Sequence, residues 1–399
     1  MKTIRILPVI LPLLALAACG DADAAGGGAT LRDSAGIRIV ENRDGRWRRD
    51  SGWKLSDEPT LQIGVAEGDA KYQMDRVRSA LRLRDGRIVV ANSGSQEIRW
   101  YDAGGRHVAS TGRKGGGPGE FQGLQALRRL PGDSLLAYDL LAARLSWFDP
   151  AGRFVRSESL QSGGGIPMRF VDRFDDGALL LSTSVRTFAS GPPSGTTRDT
   201  MVWIRSAGGT LDSLPVTPGA ESAISIISSG GAIESMNVLS LPFMRNVQSA
   251  AAGDRYWQGV TERYELVLRS ADGTPERIVR RLVDPVPVRG AYLDSLRRVQ
   301  ATEHGPEAAK SLDQVALPDA LPVFERLLVD DAGNLWVQRM SWPGDAQPEW
   351  DVFDGEGRML GTVRMPAGFR AMHIGADFVL GVWKNEDDVE FVRMYALKK

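Results

Sequence analysis

The chain has 399 residues, 42% apolar and 25% charged, which suits a folded protein with a sizeable core, as two or three domains or one closed repeat architecture. Its formal charge is −1, and removal of Lys2 and Arg5 with an export segment leaves 47 basic against 50 acidic side chains, or −3. Such a balance offers no general attraction to nucleic acid, and no nucleic-acid partner is expected.

Lys2 and Arg5 precede an apolar run from Ile6 to Leu16 and the small-residue site Leu16-Ala17-Ala18-Cys19. That run is too short to span a bilayer permanently and reads as an export signal over residues 1–18. The pattern resembles the bacterial lipobox, which implies cleavage before Cys19 and lipid on its sulfur; an ordinary signal peptide is the alternative. Gly20 follows instead of Asp, and by resemblance to lipoprotein sorting this favours an outer-membrane anchor facing the periplasm. Membrane contact would then be through acyl chains only, and the mature fold would hold no other cysteine. Residues 19–35 form the lipidated cysteine and a flexible tether, Gly/Ala-rich from Asp21 to Thr30, and residues 36–399 form the folded domain.

Ile37 to Glu41 is a strand candidate without an assigned place, and Thr60 to Gly64 is a second. From there a cassette recurs: turn, strand, strand ending in an aromatic residue, and an Asp-x-x-Gly-Arg turn. Its clearest copies end at Asp102-Ala103-Gly104-Gly105-Arg106 and Asp149-Pro150-Ala151-Gly152-Arg153, 47 residues apart, a period that suggests stacked four-stranded blades. Six copies of the turn before the second strand align, at Gly86, Asp133, Gly177, Asp254, Gly333 and, more loosely, Ala376. The sixth copy ends at Lys399 before a fourth strand, and Thr60 to Gly64 supplies that strand from the other end of the chain. The expected fold is all-β, a six-bladed propeller closed by pairing N-terminal and C-terminal strands, with a helical insertion at about residues 289–316.

The Asp-Gly-x-Ile-Val-Val strand at Asp85, the Phe-Asp-x-x-Gly-Arg turn at Phe148 and the loop Gly112 to Phe121 resemble NHL-type six-bladed propeller repeats. With the lipobox, the chain is similar to bacterial propeller lipoproteins of unassigned function. The resemblance specifies a fold and leaves the chemistry open.

Strand parity places the turns between second and third strands, and the links between blades, on one face. Every long insertion falls there: Arg186 to Asp199, Pro215 to Pro242, Asp284 to Pro322 with helical patterning from Ala291 to Thr302, and Ser341 to Pro348. Long loops on a rigid scaffold carry binding residues more often than short ones. Eight residues before the aligned turns stand Arg78, Gln125, Arg169, Asn246 and Glu325, with Arg370 the nearest equivalent in the sixth copy. They form a candidate central-channel ring. Its arginines suit an anionic group, or the ring is simply the polar lining of a water-filled channel.

Catalytic signatures are absent: His107, His304 and His373 have no spaced metal partners, and Gly115 to Gly119 lacks the Lys-Ser/Thr of a phosphate loop. Trp342 and Trp350, beside an insertion, are contact candidates. Two functions remain open. One is a non-catalytic binding or scaffold module without a cofactor, presenting its loop-rich face to an envelope protein, a peptide or a small anionic ligand. The other resembles the calcium-dependent propeller lactonases, in which Asn246, Glu325 and Asp75 would hold Ca²⁺.

Overall fold

Strand residues covered on both faces need no polar alternation, and the second strand of each repeat shows this most clearly. Ile88-Val89-Val90-Ala91-Asn92 and Leu135-Leu136-Ala137-Tyr138-Asp139 are buried at every position. The computed structural model describes residues 28–48, 51–160, 168–186, 195–208, 210–229, 232–239, 243–288, 290–306, 309, 318–340 and 347–399.

Four short strands open the chain: β1 (Ala29–Ser34), β2 (Ile37–Asn42), β3 (Lys54–Leu55) and β4 (Leu61–Ile63). The first blade holds β5 (Val77–Arg82), β6 (Ile88–Asn92), β7 (Glu97–Tyr101) and β8 (His107–Thr111). The second holds β9 (Leu124–Arg129), β10 (Leu135–Asp139), β11 (Arg144–Phe148) and β12 (Phe154–Ser159). The third has five strands, β13 (Arg169–Arg173), β14 (Leu179–Val185), β15 (Gly195–Ala207), β16 (Thr210–Ser229) and β17 (Ala232–Leu239). β18 (Val247–Ala252), β19 (Arg255–Val260), β20 (Glu265–Ser270) and β21 (Pro275–Arg281) make the fourth, followed by helix α1 (Gly290–His304). The fifth is β22 (Phe324–Val329), β23 (Leu335–Arg339), β24 (Glu349–Phe353) and β25 (Met359–Arg364). The sixth is β26 (Phe369–Ile374), β27 (Phe378–Lys384) and β28 (Glu390–Lys398).

These six sheets are the expected six-bladed propeller, and its core lies between blades. Trp100 of the first blade packs with Leu124, Leu135 and Phe148 of the second. Comparable clusters fill the other junctions, among them Leu136 with Leu181, Tyr264 with Phe324 and Trp350 with Tyr395. The Asp-x-x-Gly-Arg turns follow from two needs. Asp102 accepts the amides of Gly104 and Arg106 at 3.0 and 2.9 Å, while Gly105 takes φ +83°, open to glycine without strain. Asp149 and Gly152 repeat this, and a Cβ on Gly152 would stand 3.0 Å from the Trp100 ring of the blade before.

β4 pairs antiparallel with β28, Leu61 opposite Met394 and Ile63 opposite Val392, so the two chain ends close the ring as expected. The tether boundary at residue 35 is corrected: residues 29–34 are β1, hydrogen-bonded along its length to β2. β2, the strand without an assigned place, runs parallel to β21 on the outer edge of the fourth blade. The chain then crosses the fifth blade, where the Trp47 amide donates to Leu360 O at 2.8 Å, and joins the sixth through β3 and β4. One N-terminal belt therefore covers the outer edges of three consecutive blades, where open ladders would otherwise invite association. Local alternation could not reveal this, because the partner strands lie hundreds of residues away.

The stretch from Pro215 to Pro242 is also corrected. Apart from residues 230, 231 and 240–242, which lie outside the described residues, it is not a loop but most of β16 and β17. β14 ends at Val185, opposite Thr200, so residues 195–199 and the β16–β17 hairpin run past the blade on its loop-bearing side. α1 starts within the expected insertion, whereas residues 289, 307, 308 and 310–317 of that insertion, together with 187–194 and 341–346 of the other two, lie outside the described residues.

Candidate functional site

The sequence-derived ring residues all stand at the loop-bearing ends of the innermost strands, with Asn246 one residue before β18. Arg78, Gln125 and Glu325 are the unpaired residues of β-bulges, which re-aim a side chain out of the ladder. The strand entries are pinned by polar side chains ending the second strands. Asn92 accepts the Asp75 amide at 2.8 Å, Asp139 those of Gln122 and Gly123, and Thr261 that of Asn246. Arg78, Gln125, Arg169, Asn246 and Arg370 are exposed within an otherwise covered set of strands, and Glu325 is half-buried.

Part of the ring gathers into a cationic group. The Arg370 guanidinium donates from Nη2 to Val77 O at 2.6 Å, across the junction of the sixth and first blades and next to Arg78. One blade back, Arg326 donates to Ala371 O at 3.0 Å, next to Arg370. Burial pushes Arg326 down to about 10, and the neighbouring charge of Arg370 adds to the fall while Glu325 opposes it. Arg370 is lowered by burial first, with Glu390 opposing and Arg78 adding. Arg326 and Arg370 both remain cationic at neutral pH. Gln125, Arg169 and Asn246 belong to the second, third and fourth blades, and no contact described for them reaches this group. Arg326 was not legible as a member, because its place depends on a bulge at Glu325.

At the opposite end the channel is crossed by side chains from three blades, tied to the backbone of a fourth. Arg129 of the second blade reaches Asp331 of the fifth, directly across the ring, at 3.3 Å, and also donates to Arg82 O at 3.0 Å. His373 Nδ1 accepts the Arg82 amide at 3.0 Å, so Nε2 carries the proton given to Asp331 Oδ1 at 3.2 Å. His373 therefore serves as a hydrogen-bonded cross-brace. The His373 hydrogen bond holds the Asp331 carboxyl below its ordinary 3.8, burial opposes, and the charge of Arg129 adds. A depressed folded value gives stability that is present above 3.8 and lost as pH falls through the lower folded value. Asp331→Asn is thus expected to lower the thermal midpoint at pH 7. That gap should close as pH is taken below about 3.8, a comparison that calorimetry over a pH series would make.

A second polar centre sits on the loop-bearing side between the fourth and fifth blades. Asp351 is 0% exposed and accepts from Arg281 at 2.6 Å, Arg339 at 3.1 Å, Tyr264 Oη at 2.7 Å and Thr362 Oγ1 at 2.9 Å. Arg339 also holds Glu349, which accepts from Arg364 at 3.1 Å. Burial, with the Asp351 charge adding, raises the Tyr264 hydroxyl well above its ordinary value. Burial works to lower Arg339, but the Asp351 hydrogen bond and the two carboxylate charges outweigh it. Above this floor lies a cavity of about 450 Å³ walled by Leu282, Val286, Leu321, Val323 and Met340. An acidic residue between Trp350 and Val352 in a strand was the one available signal for this centre.

One expectation fails here. Trp350 is 1% exposed, because its side chain packs between the fifth and sixth blades, so it is no contact residue; Trp342 lies outside the described residues. Asn246, Glu325 and Asp75 stand on the fourth, fifth and first blades, Glu325 accepts from Gln338 at 2.9 Å beside Arg326, and Asp75 leans against Gly94. Among the described residues no group of three or more His, Cys, Asp or Glu gathers at a metal-binding spacing. No helix among them is long and apolar enough to cross a membrane.

No family model matches the chain, and no curated protein matches it. Among solved structures it is similar to a candidate exported protein of Bacteroides fragilis, at 14% identity and TM-score 0.47 over 90% of this chain and 100% of the other. A DUF4221 family member from Bacteroides vulgatus gives 10% and 0.46 over 87% and 99%. Regucalcin of Agrobacterium tumefaciens, a calcium-binding protein, gives 12% and 0.39 over 86% and 95%. None of these similarities assigns a ligand to this chain.

Proposed function

We propose that the chain is a membrane-tethered binding module that takes a small anionic ligand at the channel mouth on its loop-rich face. The observation that carries this reading is the grouping of Arg78, Arg326 and Arg370 from three consecutive blades. The channel beneath them is crossed at its far end by Arg129 and Asp331. Like charges grouped at the mouth of a channel focus field outward and favour an incoming carboxylate or phosphate. The projecting β15–β17 ribbon and the α1 insertion share this side, so an envelope protein or peptide would also approach here.

Lipid on Cys19 and an outer-membrane position belong to the same proposal, as does membership of the NHL-type propellers. β1 is the outermost strand of a six-stranded sheet whose innermost strand is β18. At about 4.8 Å per strand the tether leaves the fold roughly 24 Å from the channel side, so anchoring leaves the mouth free. Titration calorimetry at low salt with citrate is the test. Citrate should bind, and Arg78→Gln and Arg370→Gln should each weaken it at least tenfold. Affinity unchanged by both variants would remove the reading. Loss of labelled palmitate from a Cys19→Ser chain checks the anchor.

A further inference from the structure

The N-terminal belt does not lie flat on the fifth blade. Between residues 43–48 and 51–57 and the outer strand β25 lies an open cavity of about 870 Å³. Residues 43–54 carry five basic and two acidic side chains, in a chain whose overall charge is slightly negative. Arg43, Arg48 and Lys54 line the cavity, are exposed, and have no ion-pair partner among the described residues. Trp47 and Trp53 line it too, half-buried with ring centroids 5.1 Å apart, and neither indole N–H has a hydrogen-bond partner among the described residues.

Five groups that can only donate therefore border one cavity without acceptors among the described residues. Against them stand two lining carboxylates without a salt bridge among the described residues, Asp44 and Asp57. Glu349 is engaged by Arg339 and Arg364, and Arg281, at the cavity floor, by Asp351. A donor-only set of cations and indoles suits a multivalent oxyanion, and the indole rings suit a carbon skeleton attached to it.

We infer that this cavity is a second binding site, for a phosphate ester. Its residues are distinct from the channel arginines, so it stands or falls independently of the channel ligand. The phosphate could belong to a soluble ester or to a lipid headgroup, and the two sources give different results.

The full chain would be titrated with glycerol 3-phosphate by tryptophan fluorescence, and separately with phosphatidylcholine vesicles containing phosphatidylglycerol. Saturable binding in both arms, weakened at least tenfold in Arg43→Gln/Arg48→Gln/Lys54→Gln, identifies a phosphate site open to soluble esters. Binding to vesicles alone, equally sensitive to that variant, identifies a headgroup site. Affinity should fall as salt is raised, and Arg78→Gln/Arg370→Gln should leave it unchanged. Asp44→Asn/Asp57→Asn, which removes the two competing carboxylates, should tighten binding severalfold and serves as a check if the triple variant folds poorly. No saturation in either arm, equal affinity in wild type and triple variant, or no tightening in the Asn variant overturns the inference.

Discussion

Asp351→Ala is expected to lower the unfolding free energy by about 3–5 kcal/mol, the cost found when one partner of a buried ion pair is removed and the other is left behind. Two guanidiniums, from Arg281 and Arg339, converge on this carboxylate, and the Tyr264 and Thr362 hydroxyls complete its acceptor sites. Removing the acceptor strands Arg281, only 15% exposed, and leaves Arg339 with Glu349 alone. Asp351→Asn keeps the volume and part of the hydrogen bonding and should fall between wild type and Ala. By contrast, Glu41→Gln, which breaks solvent-accessible pairs with Arg32 and with Arg280, the latter keeping Glu265, should cost less than about 1 kcal/mol. Urea titration of the four proteins measures the order directly. Equal midpoints for Asp351→Ala and Glu41→Gln would show that the buried centre carries no special share of stability.

A chain beginning at residue 65 is expected to lose cooperative folding and to associate, whereas one beginning at residue 28 should behave as the full protein does. The reason lies in what the belt covers. Leu61 and Ile63 are 8% and 2% exposed, and burying two such side chains contributes about 3–6 kcal/mol. Without β4 the sixth blade keeps three strands and an open β28 edge; without β2 and residues 46–47 the edges of β21 and β25 open as well. Gly361→Ala is a milder probe of the same device. Its new Cβ would fall within the Trp47 ring, which must then leave the sheet, at a cost of about 1–3 kcal/mol. Size-exclusion profiles and denaturant midpoints report both changes. A monomeric, cooperatively unfolding chain from residue 65 would mean that the belt is dispensable.

The candidate site was legible in position and illegible in composition. Counting back eight residues from each aligned turn reached the inner strand in the first, second, third and fifth blades and the residue before it in the fourth, because strand length and turn chemistry are written in neighbouring residues. Which of those positions cooperate was not readable by counting. A bulge at Glu325 turns Arg326 toward the sixth blade, and Arg370 reaches the first blade only because the ring is closed. Trp350 shows the same gap from the other side. An aromatic residue beside a long insertion looks available from sequence, yet its face is set by the blade stacked upon it.

By itself the sequence determined the repeat, the six second-strand turns, the closing strand at Thr60 to Gly64 and the side on which the insertions gather. Each of these depends on residues within a few positions of one another, where hydrogen-bonding turns and alternating burial leave a direct trace. The tertiary structure alone decided the belt over three blades, the Arg129–Asp331 crossing of the channel and the buried Asp351 centre. Those join residues 202 apart in the crossing and 87 apart between Tyr264 and Asp351. Such pairs meet because stacking sheets in a ring brings distant strands together, and no local periodicity records which side chains will face each other when they arrive.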